Sequence, residues 1–203
     1  MYLTAEKLAP LIARYGQPRE VHMSQGVSGP EMEMVLDSRK GGRAHDVTCF
    51  ILDGEGRVAV IRKHFHPPGV WRAPSGGVRR DEDLEAGIRR EMREETGLDI
   101  CLLRYLLRID VTFFCEEGSR REQPWVSHVF AARPVSSDPK VALEPEDHEE
   151  IAAARWVTKE ELQGPIRDAL LATGGGLFRY RVALTDLALV ELHKTGLLGG
   201  DGA

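Results

Sequence analysis

Apolar residues recur along this chain with two different periods, and the switching between them outlines its elements. Leu8, Leu11 and Ile12 fall at helical spacing behind Thr4, a residue suited to capping, and Gly16 and Pro18 stop the pattern. Residues 4–15 are therefore expected to form a short helix. From Gly16 to Gly42 the pattern is weak, with SQGVSGP reading as a loop and Met32–Leu36 as a short strand. Two apolar, β-rich runs, VTCFIL at 47–52 and RVAVIR at 57–62, flank the turn DGEG and predict a hairpin. VWRAP at 70–74 predicts a further short strand, SGGVRRDED a loop, and 83–96 a helix closed by Gly97. Two long strands, 100–114 and 125–132, are expected around the polar loop EEGSRREQ. The acidic loop EPEDHEE then leads into a strand at 151–157 and a short helix after Thr158. Two helices separated by TGGG fill 165–194, and the terminal GGDGA is expected to fray.

Strands and helices mix here without regular βαβ alternation, so the expected fold is α/β, with mixed sheets packed by helices rather than a doubly wound sheet. No internal repeat is present. The chain divides into an N-terminal extension (1–43), a main domain (44–163) and a C-terminal helical tail (164–203).

Its 203 residues are enough for a real core without disulfides. The formal net charge of −5 argues against a general grip on nucleic acid, which needs a basic surface. An anionic substrate would have to be held locally, by a cation or a few placed arginines. Cys49, Cys101 and Cys115 are odd in number and sit in apolar or strand-like surroundings, as expected of reduced thiols in a cytoplasmic protein. No stretch approaches the ~20 apolar residues of a membrane span, and no partner membrane is expected.

The chemistry is concentrated in GGVRRDEDLEAGIRREMREETGL, residues 76–98. On a helix, Leu84, Ile88 and Met92 form an apolar stripe. Glu91, Glu94 and Glu95 cluster beside it, while Arg89 and Arg93 take the far side. Like charges at i, i+3 and i+4 oppose the helix by a few tenths of a kcal/mol per pair, at about surface exposure, and partial burial adds to that. A solvated acidic face is one account of the pattern. A hard divalent cation is the other, because carboxylate oxygens are its preferred ligands.

The same segment resembles the signature of the Nudix hydrolases: Gly, five residues, Glu, seven residues, then Arg-Glu-apolar-any-Glu-Glu-any-Gly-apolar. Gly76, Glu82, Arg90, Glu91, Met92, Glu94, Glu95, Gly97 and Leu98 fill the specified positions. The resemblance implies an α/β/α sandwich and Mg²⁺-dependent hydrolysis, with Mn²⁺ as a possible substitute. It implies that Glu91, Glu94 and Glu95 ligate the metal with the carbonyl of Gly76, one of the glutamates activating water, and that Glu82 and Arg90 brace the loop against the helix. Glu150, in the acidic loop just before a strand ending in Trp156 and Val157, matches a further carboxylate that many members supply. The sequence departs from the common approach loop in Ala73-Pro74-Ser75 and in Asp81, which bears on substrate geometry rather than on the ligands.

Arg62, Arg72 and Trp71 are candidates for phosphate and base binding, alongside Lys63, Arg79 and Arg80; a solvated or core role competes at each. His64 and His66 lack a third ligand in the sequence. The substrate implied is a small nucleotide-like diphosphate, a nucleoside diphosphate linked to another group, with no nucleic-acid partner. Rival readings are a nucleoside triphosphate pyrophosphohydrolase, a Nudix-fold nucleotide sensor without turnover, and a prenyl diphosphate isomerase, whose separate cysteine and glutamate chemistry is not matched. The extension, apolar on one helical side, could swap onto a partner in a homodimer.

Overall fold

A computed structural model of the chain describes residues 3–39, 43–117, 121–138 and 141–198. The terminal GGDGA and the centre of the EEGSRREQ loop lie outside the described residues. The elements run α1 (Ala5–Tyr15), β1 (Arg19–Val27), α2 (Gly29–Ser38), β2 (His45–Ile51), β3 (Val58–Lys63), β4 (Ser75–Gly76) and α3 (Leu84–Thr96). They continue with β5 (Ile100–Cys115), β6 (Glu122–Pro134), β7 (Ile151–Val157), α4 (Lys159–Glu161), α5 (Arg167–Ala172) and α6 (Gly176–Lys194). A π-type turn over Leu162–Ile166 joins α4 to α5.

Five strands form a mixed sheet in the order β1-β5-β6-β2-β4, and β3 and β7 pair antiparallel in a second, two-stranded sheet. One face of the large sheet, through Val47, Cys49, Ile51 and Phe130, buries against Leu8 and Leu11 of α1 and Leu84, Ile88 and Met92 of α3. The other, through Phe50, Ile109, Val111 and Val129, packs against the small sheet, α2, α5 and α6. A mixed sheet between helices is the α/β/α arrangement expected.

Four local expectations need correction. The hairpin opens: β2 and β3 part into different sheets and share only the bridge Leu52–Val58, because β2 pairs instead with β6. Asp53 closes the turn, its Oδ1 accepting from the amides of Glu55 (2.9 Å) and Arg57 (2.8 Å). The strand expected at 70–74 shrinks to one bridge between Arg72 and Ile61; the paired residues are Ser75 and Gly76, opposite Thr48 and Val47. Met32–Leu36 is helical, within α2, where Ser28 and Glu31 form a capping box with Pro30 in the first turn. The poorly patterned stretch before it is β1, which joins the large sheet parallel to β5.

That last pairing makes the extension part of the sheet. The apolar side of α1, the candidate for swapping onto a partner, is buried within its own chain. Glu31 then ties the extension to the tail. Its carboxylate accepts from the amides of Ser28 (2.9 Å), Gly176 (3.1 Å) and Leu177 (2.9 Å), so one anion sits at the N-termini of both α2 and α6. Burial opposes its ionisation, but these N–H groups hold its pKa below the ordinary value.

Inside the large sheet, His45 and His128 are fully buried, with ring centroids 6.2 Å apart, and the His128 Nδ1 meets the Tyr105 hydroxyl. Desolvation lowers their pKa values to about 4 and about 3.

Candidate active site

Helix α3 presents the glutamates because its caps and its apolar stripe fix its rotation. Asp83 caps it, its Oδ1 accepting from the Ala86 amide at 3.0 Å. Gly97 ends it in the left-handed region at φ 74°, a conformation that costs glycine little, and a side chain there would strike the Glu144 carbonyl. The loop that begins at Glu144 docks on this end by its backbone: the amides of Glu146 (3.0 Å) and Asp147 (2.9 Å) donate to the Glu94 carbonyl, and that of Glu144 (3.0 Å) to Thr96. The acidic loop is thereby fixed beside the helix although its side chains are like-charged with it.

Arg90 is the hub of the exposed side of the site. Its Nε and Nη2 donate to the two oxygens of Glu82 at 2.8 and 2.9 Å, and Nη1 donates to Glu91 and Glu94, each at 2.9 Å. Nη2 also reaches the Gly77 carbonyl at 3.2 Å. Glu82 accepts the Arg79 amide as well (3.0 Å), and its hydrogen bond with Arg90 leads in lowering its pKa to about 2. One guanidinium thus ties the loop to the helix while neutralising part of the cluster.

Glu91 lies against the backbone of Gly76 so closely that a Cβ at that position would collide with its carboxylate. Burial, followed by the charges of Glu95 and Glu94, pushes the Glu91 pKa up against the influence of Arg90. Glu95 is buried and turned to the far side of β4. Its Oε2 accepts the Ser75 amide at 2.6 Å, and its Oε1 faces Arg72 Nη2 and Lys63 Nζ, both at 3.4 Å. Lys63 also pairs with Glu150, which brings that carboxylate to the same corner of the site. Gly76, Glu82, Arg90, Glu91, Glu94, Glu95 and Glu150 therefore form one continuous constellation.

Among the described residues no three carboxylate, histidine or cysteine side chains converge on one point in these rotamers. Arg90, Arg72 and Lys63 hold the carboxylates apart instead. The donor set still fits a hard divalent cation: it is oxygen-only, Glu91, Glu94 and Glu95 share one helix with Glu150 brought beside it, and burial and then its acidic neighbours disfavour the Glu91 charge in the absence of a cation.

The candidate substrate residues divide. Arg72 is buried, with Nη1 donating to the Ala73 carbonyl (2.8 Å) and Ser75 Oγ (2.9 Å), so it shapes the approach loop and neutralises Glu95. The half-buried Trp71 ring has two guanidinium groups near it, Arg62 at 5.8 Å and Arg155 at 5.0 Å from its centroid. Trp71 and Arg72 line a cleft with Leu162, Arg167, Thr185 and Asp186 of the C-terminal helices. His64 is exposed, its Nε2 3.2 Å from the His148 carbonyl; His66 is buried, with Nδ1 accepting the Lys63 amide at 3.3 Å. Burial first, then the charges of Arg72, Lys63 and Arg181, depress the His66 pKa to about 4. Sequence reasoning read Ser75 only as a departure in the approach loop and missed that its amide holds Glu95.

Comparison with known proteins adds four findings. The NUDIX domain family profile matches residues 42–173. A curated RNA pyrophosphohydrolase of Caulobacter vibrioides is 36% identical over 128 residues, covering 57% of this chain and 72% of that protein. A NAD-capped RNA hydrolase NudC of Mycobacterium tuberculosis is 28% identical over 120 residues, covering 59% of this chain and 34% of that protein. Among solved structures, a NUDIX hydrolase from Nitrosomonas europaea aligns with a TM-score of 0.49 at 16% identity, over 75% of this chain and 90% of that one.

Proposed function

Because this chain belongs to the Nudix hydrolases, enzymes of phosphoric anhydride bonds, we propose that it cleaves a diphosphate linkage in a nucleoside diphosphate joined to a second group. The observation that carries this reading is the packing of the Glu91 carboxylate against Gly76, with Glu94 and Glu95 on the same helix and the Glu82–Arg90 brace beside them. Glu91, Glu94, Glu95, Glu150 and the Gly76 carbonyl would hold Mg²⁺, or Mn²⁺ in its place. Held there, the ion would neutralise phosphate oxygens and lower the pKa of a water. Glu94 or Glu95 would take the proton of the attacking water, Glu94 oriented by Arg90 and Glu95 by the Ser75 amide and Arg72. Trp71, with Arg62 and Arg155 near its ring, offers an aromatic face to a base and cationic groups to its phosphates. Three free thiols suit a reducing, cytoplasmic setting, and no described helix is long and apolar enough to cross a membrane.

One observation favours a second reading. The 36% identical relative is named an RNA pyrophosphohydrolase, so a triphosphate end, free or on RNA, competes as the substrate. The net charge of −5 speaks against an extended RNA track but not against local capture of a 5′ end. The deciding experiment incubates the protein and Mg²⁺ with ADP-ribose, nucleotide sugars, dinucleotides, nucleoside triphosphates and 5′-triphosphate RNA, and identifies the products. Two phosphorylated fragments from a linked diphosphate support the first reading, and inorganic pyrophosphate from a triphosphate supports the second. No Mg²⁺-dependent cleavage of any of them would refute both.

A further inference from the structure

Resting on the hydrolase reading above, we propose that Arg181, on α6 and outside the stretch matched by the family profile, is a substrate-binding residue that takes a phosphate of the nucleotide next to the box glutamates. The placement comes from β2. Arg181 Nη1 donates to Thr48 Oγ1 at 3.2 Å, and Nη2 to Asp46 Oδ2 at 3.1 Å. Thr48 stands directly opposite Ser75 in the β2–β4 ladder. Ser75 in turn donates its amide to Glu95 and accepts from Arg72 at its hydroxyl. A single ladder pair therefore separates the Arg181 guanidinium from the glutamate network.

Three observations make this guanidinium a ligand group rather than a pin for the helix. It is the most accessible cation of its cluster: its side chain is 23% exposed, against 8% for Arg72 and 12% for Lys63, both engaged with Glu95. Its acidic partner keeps other contacts: burial opposes the ionisation of Asp46 and Arg181 leads in sustaining it, but Asp46 Oδ1 also accepts from Trp125 Nε1 (3.0 Å) and from the Ser127 hydroxyl, so the carboxylate stays hydrogen-bonded when Arg181 swings to a phosphate. The helix is anchored independently, by the Tyr180 hydroxyl donating to Ser127 Oγ at 2.7 Å and by the buried Val182 and Leu184. The neighbouring α6 residue Phe178 stacks edge-on against His66 at 5.4 Å, where the charges of Arg72, Lys63 and Arg181 all converge. Several cations gathered at the edge of a carboxylate site, one of them with most of its five donors uncommitted, are suited to a phosphate, which an arginine fork binds in two-point fashion.

The test is calorimetric titration of the full-length protein with ADP and with inorganic pyrophosphate, each with Mg²⁺, in wild type and in R181M, R181K and D46N. Loss of charge-assisted bonds to phosphate should weaken binding on the order of 10- to 100-fold in R181M. R181K should fall between, because a lysine keeps the charge but not the fork. D46N, which frees the guanidinium, should stay within about 3-fold of wild type, since the arginine fork itself remains. R181M and R181K binding like wild type, D46N losing as much as R181M, or no binding of either probe by wild type would overturn the assignment. Should R181M fail to fold by circular dichroism, R181K decides: affinity within about 2-fold of wild type overturns it, because a point charge cannot replace the fork. Binding is read without turnover, so a wild type that binds ADP yet hydrolyses nothing in the substrate screen refutes the catalytic reading and leaves this comparison decided on its own.

Discussion

Replacing Glu95 with glutamine in the metal-free protein should destabilise it, while the same change at Glu91, one turn away, should not. Glu95 is 3% exposed and is the common acceptor of the Ser75 amide, Arg72 and Lys63. A glutamine keeps an oxygen for the amide but leaves the buried Arg72, whose pKa burial already lowers, facing a neutral group. Removing one partner of a buried ion pair costs about 3–5 kcal/mol. Lys63 retains Glu150 and relieves part of that, so about 2–4 kcal/mol is expected for Glu95→Gln, of the order found when one partner of a buried ion pair is lost. At about 2–4 °C per kcal/mol for a chain of this size, the midpoint falls by roughly 5–15 °C. Glu91 differs because burial and its acidic neighbours disfavour its charge, so Glu91→Gln relieves repulsion and changes stability by no more than about 1 kcal/mol, in the stabilising direction. Thermal unfolding in excess chelator reads both numbers. Adding millimolar Mg²⁺ should then stabilise wild type by about 2.7 kcal/mol at a hundredfold excess over Kd, a midpoint rise of roughly 5–10 °C, and stabilise neither variant as far. A Glu95→Gln midpoint equal to wild type in chelator, or a Glu91→Gln loss as large as that of Glu95→Gln, would refute this reading of the network.

Catalysis should fall at least ~10²-fold in Glu95→Gln, while Glu85→Gln leaves the rate constant near wild type, because Glu85 faces Arg14, Tyr15 and Arg89 rather than the site; steady-state kinetics on the first substrate found separates them. Acid should destabilise the fold through His45 and His128. The unfolded rings take up protons near their ordinary value of 6.5 and the folded ones only near about 4 and about 3, so the stability held above pH 6.5 drains as the pH falls toward 4. Urea midpoints from pH 7 to 4.5 should show it, and His128→Gln should flatten that slope by up to about 1.4 kcal/mol per pH unit; an unaltered slope would place the titration elsewhere. Glu31→Ala removes the anion at two helix N-termini and should cost about 2 kcal/mol, read as a midpoint drop of roughly 4–8 °C. A drop no larger than that of an exposed Glu→Ala change elsewhere would mean the double cap is idle.

The box was legible because its spacing and its chemistry coincide. Leu84, Ile88 and Met92 set the helix rotation, and that rotation carries Glu91, Glu94 and Glu95 to the site. The individual fates of those glutamates were not legible. A pattern of like charges predicts mutual repulsion, and that describes Glu91; Glu95 is instead absorbed by Arg72 and Lys63, two residues assigned only to phosphates. The second half of the chain matched closely because its strands are long and its turns carry strong breakers. The first half misled for three separate reasons. VTCFIL and RVAVIR suit a hairpin locally, yet β2 gains more by pairing with β6 inside the sheet. β1 gives a weak signal because most of it stays exposed or only partly buried, so few apolar residues mark its face, and its ladder to β5 is made by the backbone. The Ser28-to-Glu31 capping box was present in the letters, but the apolar run Met32–Leu36 after it also suits a strand. Arg181 carries no local signature, since only the packing of α6 onto β2 brings it to the site.

The double cap at Glu31 also dictates an order of events. Glu31 grips amides 145 and 146 residues further along, and the strand β1 just before its helix zips onto β5 at a separation of 88. Closing a loop of that length costs about 2 kcal/mol more in chain entropy than closing a ten-residue one, so neither contact is an early step in folding. The sheet centre and α3 can assemble first; the two flanking segments then clasp each other across it, and α6 reaches β2 only as that clasp shuts. Opened in the native state, the clasp should release both segments together, as one cooperative unit. The amide protons of Gly176 and Leu177 would then exchange with solvent at the same rate as those of β1, far apart in sequence but governed by a single latch.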